Sequence, residues 1–179
     1  MHPDEANQAW KTGILWQTGQ YRYDPAEHHG PTLYYLTLPV LWLAGAGDFA
    51  QTTETHYRLL SALAGLGLVG AIGLLHKALG AGPVLAAAAL TALSPVMVFY
   101  SRYYIQEMLL VLFTLGVLGS LARCRQSQSL AGAVFWAAVA GVLVGLMAAT
   151  KETWILALGA MGAAGLLCTL GNCWVVQPS

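Results

Sequence analysis

The sequence predicts an all-α, polytopic membrane helix bundle of about five transmembrane helices, with juxtamembrane helices in a polar N-terminal region. Three observations predict it. Of the 179 residues 57% are hydrophobic and 9% charged, whereas an ordinary soluble domain is about 25% charged. Nine of the 16 Asp, Glu, Lys and Arg residues fall within residues 1–58, and seven in the other 121. From residue 59 onward, apolar runs close to the roughly 20 residues needed to cross a bilayer recur between short polar breaks.

In chain order, residues 6–17 set Ala6, Ala9, Trp10, Gly13, Ile14 and Gln17 on one face at helical spacing, with Asn7, Lys11 and Thr18 elsewhere. This predicts an amphipathic helix, either interfacial with Trp10 and Trp16 near headgroups or packed on the bundle. Gly19 and Asp24-Pro25 read as turns. The apolar run 31–47 is short and broken by Pro39. The spanning runs are 59–78, 83–100, 103–122, 130–150 and 153–170. Gly65, Gly70, Gly73, Gly141 and Gly145 are expected to permit close helix packing.

Loops rich in Lys and Arg stay in the cytoplasm. With His76-Lys77 and Arg123-Cys124-Arg125 placed there, alternation of the spans puts residues 1–58, 101–107 and Lys151-Glu152 on the extracytoplasmic face. The run 31–47 then begins and ends on that face, as a juxtamembrane or re-entrant helix. The chain divides into an extracytoplasmic region at 1–58 with an acidic motif, a helix bundle at 59–170 and a tail at 171–179.

Several classes are set aside or ranked last. Net charge is zero and no surface cluster of Lys and Arg forms, so nucleic acid is not an expected partner. Cys124, Cys168 and Cys173 are odd in number and lack metal-type spacing. The charges at Asp4, Glu5, Lys11, Arg22, Asp24 and Glu27 make the start mature sequence rather than a targeting segment. A transporter would place charges near the midplane at broken helices, and here they sit at run ends.

Four polar elements could do chemistry. Asp4-Glu5 precedes a helical stretch, where ionised carboxylates are favoured; the pair reads as a helix cap or as a proton acceptor. His28-His29 sits beside a turn ahead of an apolar run, able to meet a phosphate or a metal, or simply a solvated turn. Arg102, Gln106 and Glu107 border a span, where charge is costly and marks function; alternatively Arg102 snorkels and Glu107 pairs with Lys151 or Arg58. Lys151-Glu152 ends an apolar run on the same face. Their convergence predicts a membrane-surface site for a polar head carried on a lipid.

These residues come in a familiar order: His2-Pro3-Asp4-Glu5-Ala6, Gly19-Gln20-Tyr21-Arg22-Tyr23-Asp24-Pro25, and His28-His29-Gly30-Pro31-Thr32-Leu33-Tyr34-Tyr35. Arg58-Leu59-Leu60-Ser61-Ala62-Leu63, Ser94-Pro95, Ser101-Arg102-Tyr103, Glu107 and Thr150-Lys151 continue it. Over roughly residues 2–170 the chain resembles the GT-C glycosyltransferases, in the family 39 or protein O-mannosyltransferase-like branch, and especially its prokaryotic flippase-activity-associated members.

The resemblance implies transfer of a sugar from a polyprenyl-phosphate-linked donor to an acceptor hydroxyl, with inversion, on the extracytoplasmic face of the cell membrane. It implies a catalytic role for the acidic motif Asp4-Glu5, with Asp4 the base. His29, Arg58, Arg102 and Lys151 would meet the donor phosphate, and Glu107 and His28 would orient the acceptor or a metal. A divalent cation serves some members. In the family a transmembrane helix precedes the acidic motif and further helices follow, so the chain is expected to be the N-terminal half of a larger enzyme, with a second membrane subunit supplying helices as an implied partner. The alternative is a non-catalytic membrane protein assisting lipid-linked glycan flipping or assembly, and dependence on Asp4 separates the two.

Overall fold

The computed structural model describes residues 1–25 and 29–175, with side chains to Gly171. The described residues are helical apart from loops and one isolated antiparallel bridge, His29 to Lys151. The all-α bundle is thus as the sequence predicts.

Helix α1 (Pro3–Thr18) starts where Pro3 fixes the first turn, and His2 is its N-cap. The His2 ring accepts from the Asp4 N–H, and the Glu5 carboxylate accepts from the His2 N–H at 3.1 Å, closing a capping box. Gly19 ends the helix at φ 68°, a left-handed position that suits glycine. The face expected at helical spacing is only partly packed, with Ala9 and Gly13 buried, which leaves Trp10 free for the interface. Glu5, Gln8, Ala9, Thr12, Gly13 and Leu15 are buried, while Trp10 and Ile14 are exposed. Polar Gln8 and Thr12 turn inward because they find partners there, as shown below. Gly13 lies against the Phe49 ring, whose atom Cδ2 would be 2.3 Å from an added Cβ.

Helix α2 (Thr32–Leu43) packs on α1 and α3 through Leu33, Tyr34, Thr37 and Leu41. At 12 residues it is too short to cross. Helix α3 (Glu54–Ala71) continues through a 3-10 turn, Ile72–Leu75, into α4 (His76–Leu79), giving one apolar stretch of 26 residues. Next come α5 (Ala81–Leu93) and α6 (Pro95–Ser101), then α7 (Glu107–Arg125), α8 (Leu130–Ala148) and α9 (Trp154–Val175).

The stretches Glu54–Leu79, Glu107–Arg125, Leu130–Ala148 and Trp154–Gly171 are long and apolar enough to cross a membrane. The expected run 83–100 is not one straight helix: α5 and α6 meet at 63°. Ser94 takes ψ 121° because a residue before proline is pushed out of the helical region. The expected run from 103 also begins later, at Glu107, so Tyr103 and Glu107 do not share one helix.

Helix α7 sits centrally between α3 and α8. Close approach is made at Gly65, where an added Cβ would lie 2.7 Å from Ser101 Cβ, at Gly116 against Leu143, and at Gly119 against Leu74. Gly70, Gly73, Gly141 and Gly145, expected to do this, have nothing within 4 Å of such a Cβ. Sequence spacing marks small residues but not which face meets a neighbour.

Candidate functional site

The polar residues gather at one end of the bundle. Beneath them lies a buried hydrogen-bonded layer that joins α1, α2 and the α6–α7 connection. Gln8 Oε1 accepts from Tyr34 Oη at 2.6 Å and from Gln106 Nε2 at 3.0 Å. Tyr104 Oη lies 2.8 Å from both Thr12 Oγ1 and Thr37 Oγ1. Burial pushes the Tyr104 phenol well above its usual range despite these bonds, so it stays neutral. Buried polar groups are tolerated when satisfied, which explains why a polar helix face turns inward.

Glu5 is 1% exposed and closes this layer. Arg58 grips it with both arms, Nε to Oε1 at 2.9 Å and Nη2 to Oε2 at 2.7 Å. The Tyr104 N–H adds a bond to Oε1 at 3.0 Å, and Arg58 also reaches Glu54 at 2.9 Å. Burial alone would raise the Glu5 carboxyl, but the Arg58 hydrogen bonds and the Tyr104 and His2 amides outweigh it and hold it at about 2. Glu5 is therefore an ionised, fully bonded carboxylate.

Asp4, its neighbour, is 70% exposed at the side chain. Its Oδ2 lies 3.4 Å from Tyr103 Oη and 3.5 Å from His2 Nδ1. Tyr103 Oη also lies 2.5 Å from His2 Nδ1. Partial burial, then the Asp4 and Glu5 carboxylates, raise the Tyr103 phenol above its usual value, so it is a neutral donor. The cap reading and the exposed position divide between the two acids: Glu5 closes the capping box, and Asp4 faces outward.

Two cavities meet at Tyr103, which lines both. One, about 380 Å³, is lined by Asp4, Asn7, Gln8, His29, Tyr103, Ile105, Gln106 and Glu107. The other, about 570 Å³, combines His2, Glu5, Arg58 and Arg102 with apolar Pro95, Val98 and Phe99. Asp4 lies on the first and contacts Tyr103 and His2, which line the second.

Lys151 Nζ donates to Glu107 Oε1 at 2.5 Å, one of the pairings the sequence leaves open. Glu107 Oε2 is buried and makes no hydrogen bond among the described residues. The loop before α2 is sewn to the end of α8: Gly30 N–H to Thr150 O at 3.1 Å, and Thr32 Oγ1 to Ala149 O at 2.7 Å. This brings His29 beside Lys151. Gly30 is needed there, since an added Cβ would sit 2.1 Å from the Ala149 carbonyl oxygen, a backbone atom that cannot swing away. Gly30→Ala is expected to destabilise the protein by about 1 to 3 kcal/mol through overpacking, read as a lower thermal midpoint in detergent; an unchanged midpoint would show that the two loops are not clamped.

Of the basic residues expected to meet one phosphate, Arg58 and Arg102 line one cavity and His29 the other. His28 lies outside the described residues. Among the described residues no group of three His, Cys, Asp or Glu side chains is placed to hold a metal ion. Sequence reasoning does not single out His2, Gln8 or the linking role of Tyr103. Pro3, which marks the helix start, is the signal that could have assigned His2 as the cap.

The opposite end carries Lys77 and Arg123 around a smaller cavity. Apolar helices of spanning length with a carboxylate-bearing double cavity at one end suit a membrane glycosyltransferase of the GT-C type. A family model described as dolichyl-phosphate-mannose-protein mannosyltransferase matches residues 34–173, and the chain belongs to this family. Nothing among curated proteins or solved structures matches it. Arg58, Arg102, Glu107 and Lys151 fall inside the matched stretch, while Asp4, Glu5 and His29 precede it.

Proposed function

We propose that this end of the bundle transfers a sugar, mannose by the family's description, from a polyprenyl-phosphate carrier to an acceptor hydroxyl with inversion. The observation that carries the proposal is the exposed Asp4 between two cavities of different chemistry. The cavity with Arg102, His2 and an apolar wall of Pro95, Val98 and Phe99 suits a phosphate on a prenyl chain. The cavity with Gln106, Asn7 and Glu107 suits a hydroxylated acceptor.

In this reading the acceptor oxygen attacks the anomeric carbon from the face opposite the phosphate. The bond from that carbon to the phosphate oxygen breaks, and its electron pair leaves on the lipid phosphate. The hydroxyl proton passes to Asp4. Arg102 stabilises the departing phosphate by charge already in place. Arg58 acts through Glu5, holding the capping turn that positions Asp4. Lys151 orients Glu107.

The test is transfer of labelled mannose from a synthetic polyprenyl-phosphate mannose by membranes carrying the protein. Arg102→Gln is expected to raise the donor KM about tenfold or more, the worth of one charge-assisted hydrogen bond. Lys151→Ala is expected to act on the acceptor KM instead. A donor effect confined to Lys151→Ala would move the phosphate to the other cavity.

The site faces the extracytoplasmic side in this proposal, because the far end holds Lys77, Arg123 and Arg125. Single cysteines at positions 54 and 152 of a cysteine-free variant are expected to react with an impermeant thiol reagent from outside, and one at position 128 only after permeabilisation. Any other pattern breaks the single-face assignment.

A further inference from the structure

The far end of the bundle holds a separate cavity of about 310 Å³, lined by Lys77, Arg123, Gln126, Ser127, Gln128, Ser129 and Trp136. Lys77 comes from the last turn of α4 and Arg123 from the last turn of α7. The other polar residues come from the α7–α8 connection, and Trp136 from α8. Gly132 lets this connection fold back on α8, since an added Cβ would lie 2.4 Å from Ser127 Oγ.

The charge balance there is one-sided. The sequence has no Asp or Glu at 55–106 or 108–151, so no carboxylate is near in the chain. Among the described residues the ion pairs lie at the other end, and neither Lys77 nor Arg123 joins one. The Arg123 guanidinium sits 5.9 Å from the Trp136 ring centroid, which fixes its direction. Its Nε is buried and makes no hydrogen bond among the described residues. Two cations held together at the rim of a low-dielectric slab repel each other and attract an anion. Leu79 and Leu130, beside the lining residues in sequence, are 53% and 82% exposed, so hydrocarbon contact begins at the cavity's edge.

We propose that this cavity binds the phosphodiester headgroup of an anionic phospholipid from the adjoining leaflet, with Lys77 and Arg123 on the phosphate and Trp136 at the level of the interface. Arginine supplies a planar fork for phosphate oxygens, and lysine a mobile point charge. The site is distinct from the Asp4 end and stands whether or not that end is catalytic.

The full chain, purified in neutral detergent, would be titrated with phosphatidylglycerol or phosphatidylcholine in mixed micelles, with bound lipid counted by native mass spectrometry. The wild type is expected to bind phosphatidylglycerol more tightly. The double variant Lys77→Gln, Arg123→Gln is expected to lose about 30-fold in phosphatidylglycerol affinity, from two surface cations, with phosphatidylcholine unchanged. Gln128→Glu, near-isosteric and exposed, puts a carboxylate into the same cavity and is expected to lower phosphatidylglycerol binding without removing a cation. It decides the matter if the double variant does not fold. Unchanged phosphatidylglycerol binding in a folded variant would overturn the site. Displacement of the lipid by excess inorganic phosphate would overturn the lipid assignment in favour of free phosphate.

Discussion

Asp4→Asn is expected to lower kcat for sugar transfer by about 1000-fold, the middle of the range for losing a general base. The change removes the basic oxygen while keeping the shape of the side chain and an acceptor for the Tyr103 hydroxyl, now 3.4 Å away. Asp4 is exposed, so membrane insertion and thermal midpoint should not move. The donor KM should hold as well, because Arg102 and the apolar wall are untouched. Initial rates with labelled lipid donor, alongside a thermal melt of the same sample, check both halves. Near-normal turnover would remove Asp4 from the base role, whereas no transfer by wild type and variant alike would favour the non-catalytic, glycan-assembly reading.

Glu5→Gln should behave oppositely, with its main effect on stability. The native carboxyl is held at about 2, against an ordinary 4.5. Its ionised form is thus favoured by the fold, so the stabilisation is complete above about pH 4.5 and is lost as pH falls toward 2. A shift of this size corresponds to about 2 to 3 kcal/mol after discounting for the partly exposed Arg58. Wild type should therefore exceed Glu5→Gln by about that amount at neutral pH, and the gap should narrow below about pH 4.5 and close only as pH falls to about 2. Unfolding midpoints of the two proteins across this range isolate Glu5 from the other carboxylates, because those titrate in both. A gap that stays constant with pH would mean that packing, not charge, links Glu5 to Arg58.

Most of the fold is legible in the sequence because hydrocarbon imposes simple demands. A helix is the way an apolar stretch satisfies its own backbone in a bilayer, so composition and run length suffice to predict an all-α bundle. The break at Ser94-Pro95 was also readable in principle, since proline restricts the residue before it. The short helix α2, with Pro39 inside, follows from its length. The gathering of Asp4, His29, Glu107 and Lys151 at one end follows from counting spans.

What periodicity could not supply is which face of α1 turns inward. A hydrophobic pattern points to Trp10 and Ile14, but next to a bilayer the apolar side can face lipid and the polar side can face protein. Gln8 and Thr12 are buried because Tyr34, Tyr104 and Gln106 come from 26 to 98 residues away to bond with them and their neighbours. The same limit applies to the glycines, where Gly116 and Gly119 meet neighbours and Gly141 and Gly145 do not.

The sequence by itself determined the membrane class, the family likeness and the confinement of the acidic residues to one end, because these depend on composition and order. The tertiary structure decided which member of the acidic pair is buried and bonded and which is exposed, and which cavity each basic residue lines. Glu5 and Asp4 are adjacent in the chain and chemically alike, yet a helical turn points one at Arg58 and the other outward. Their surroundings are set by partners about 50 and 100 residues distant, and distances across a fold are not written in local sequence.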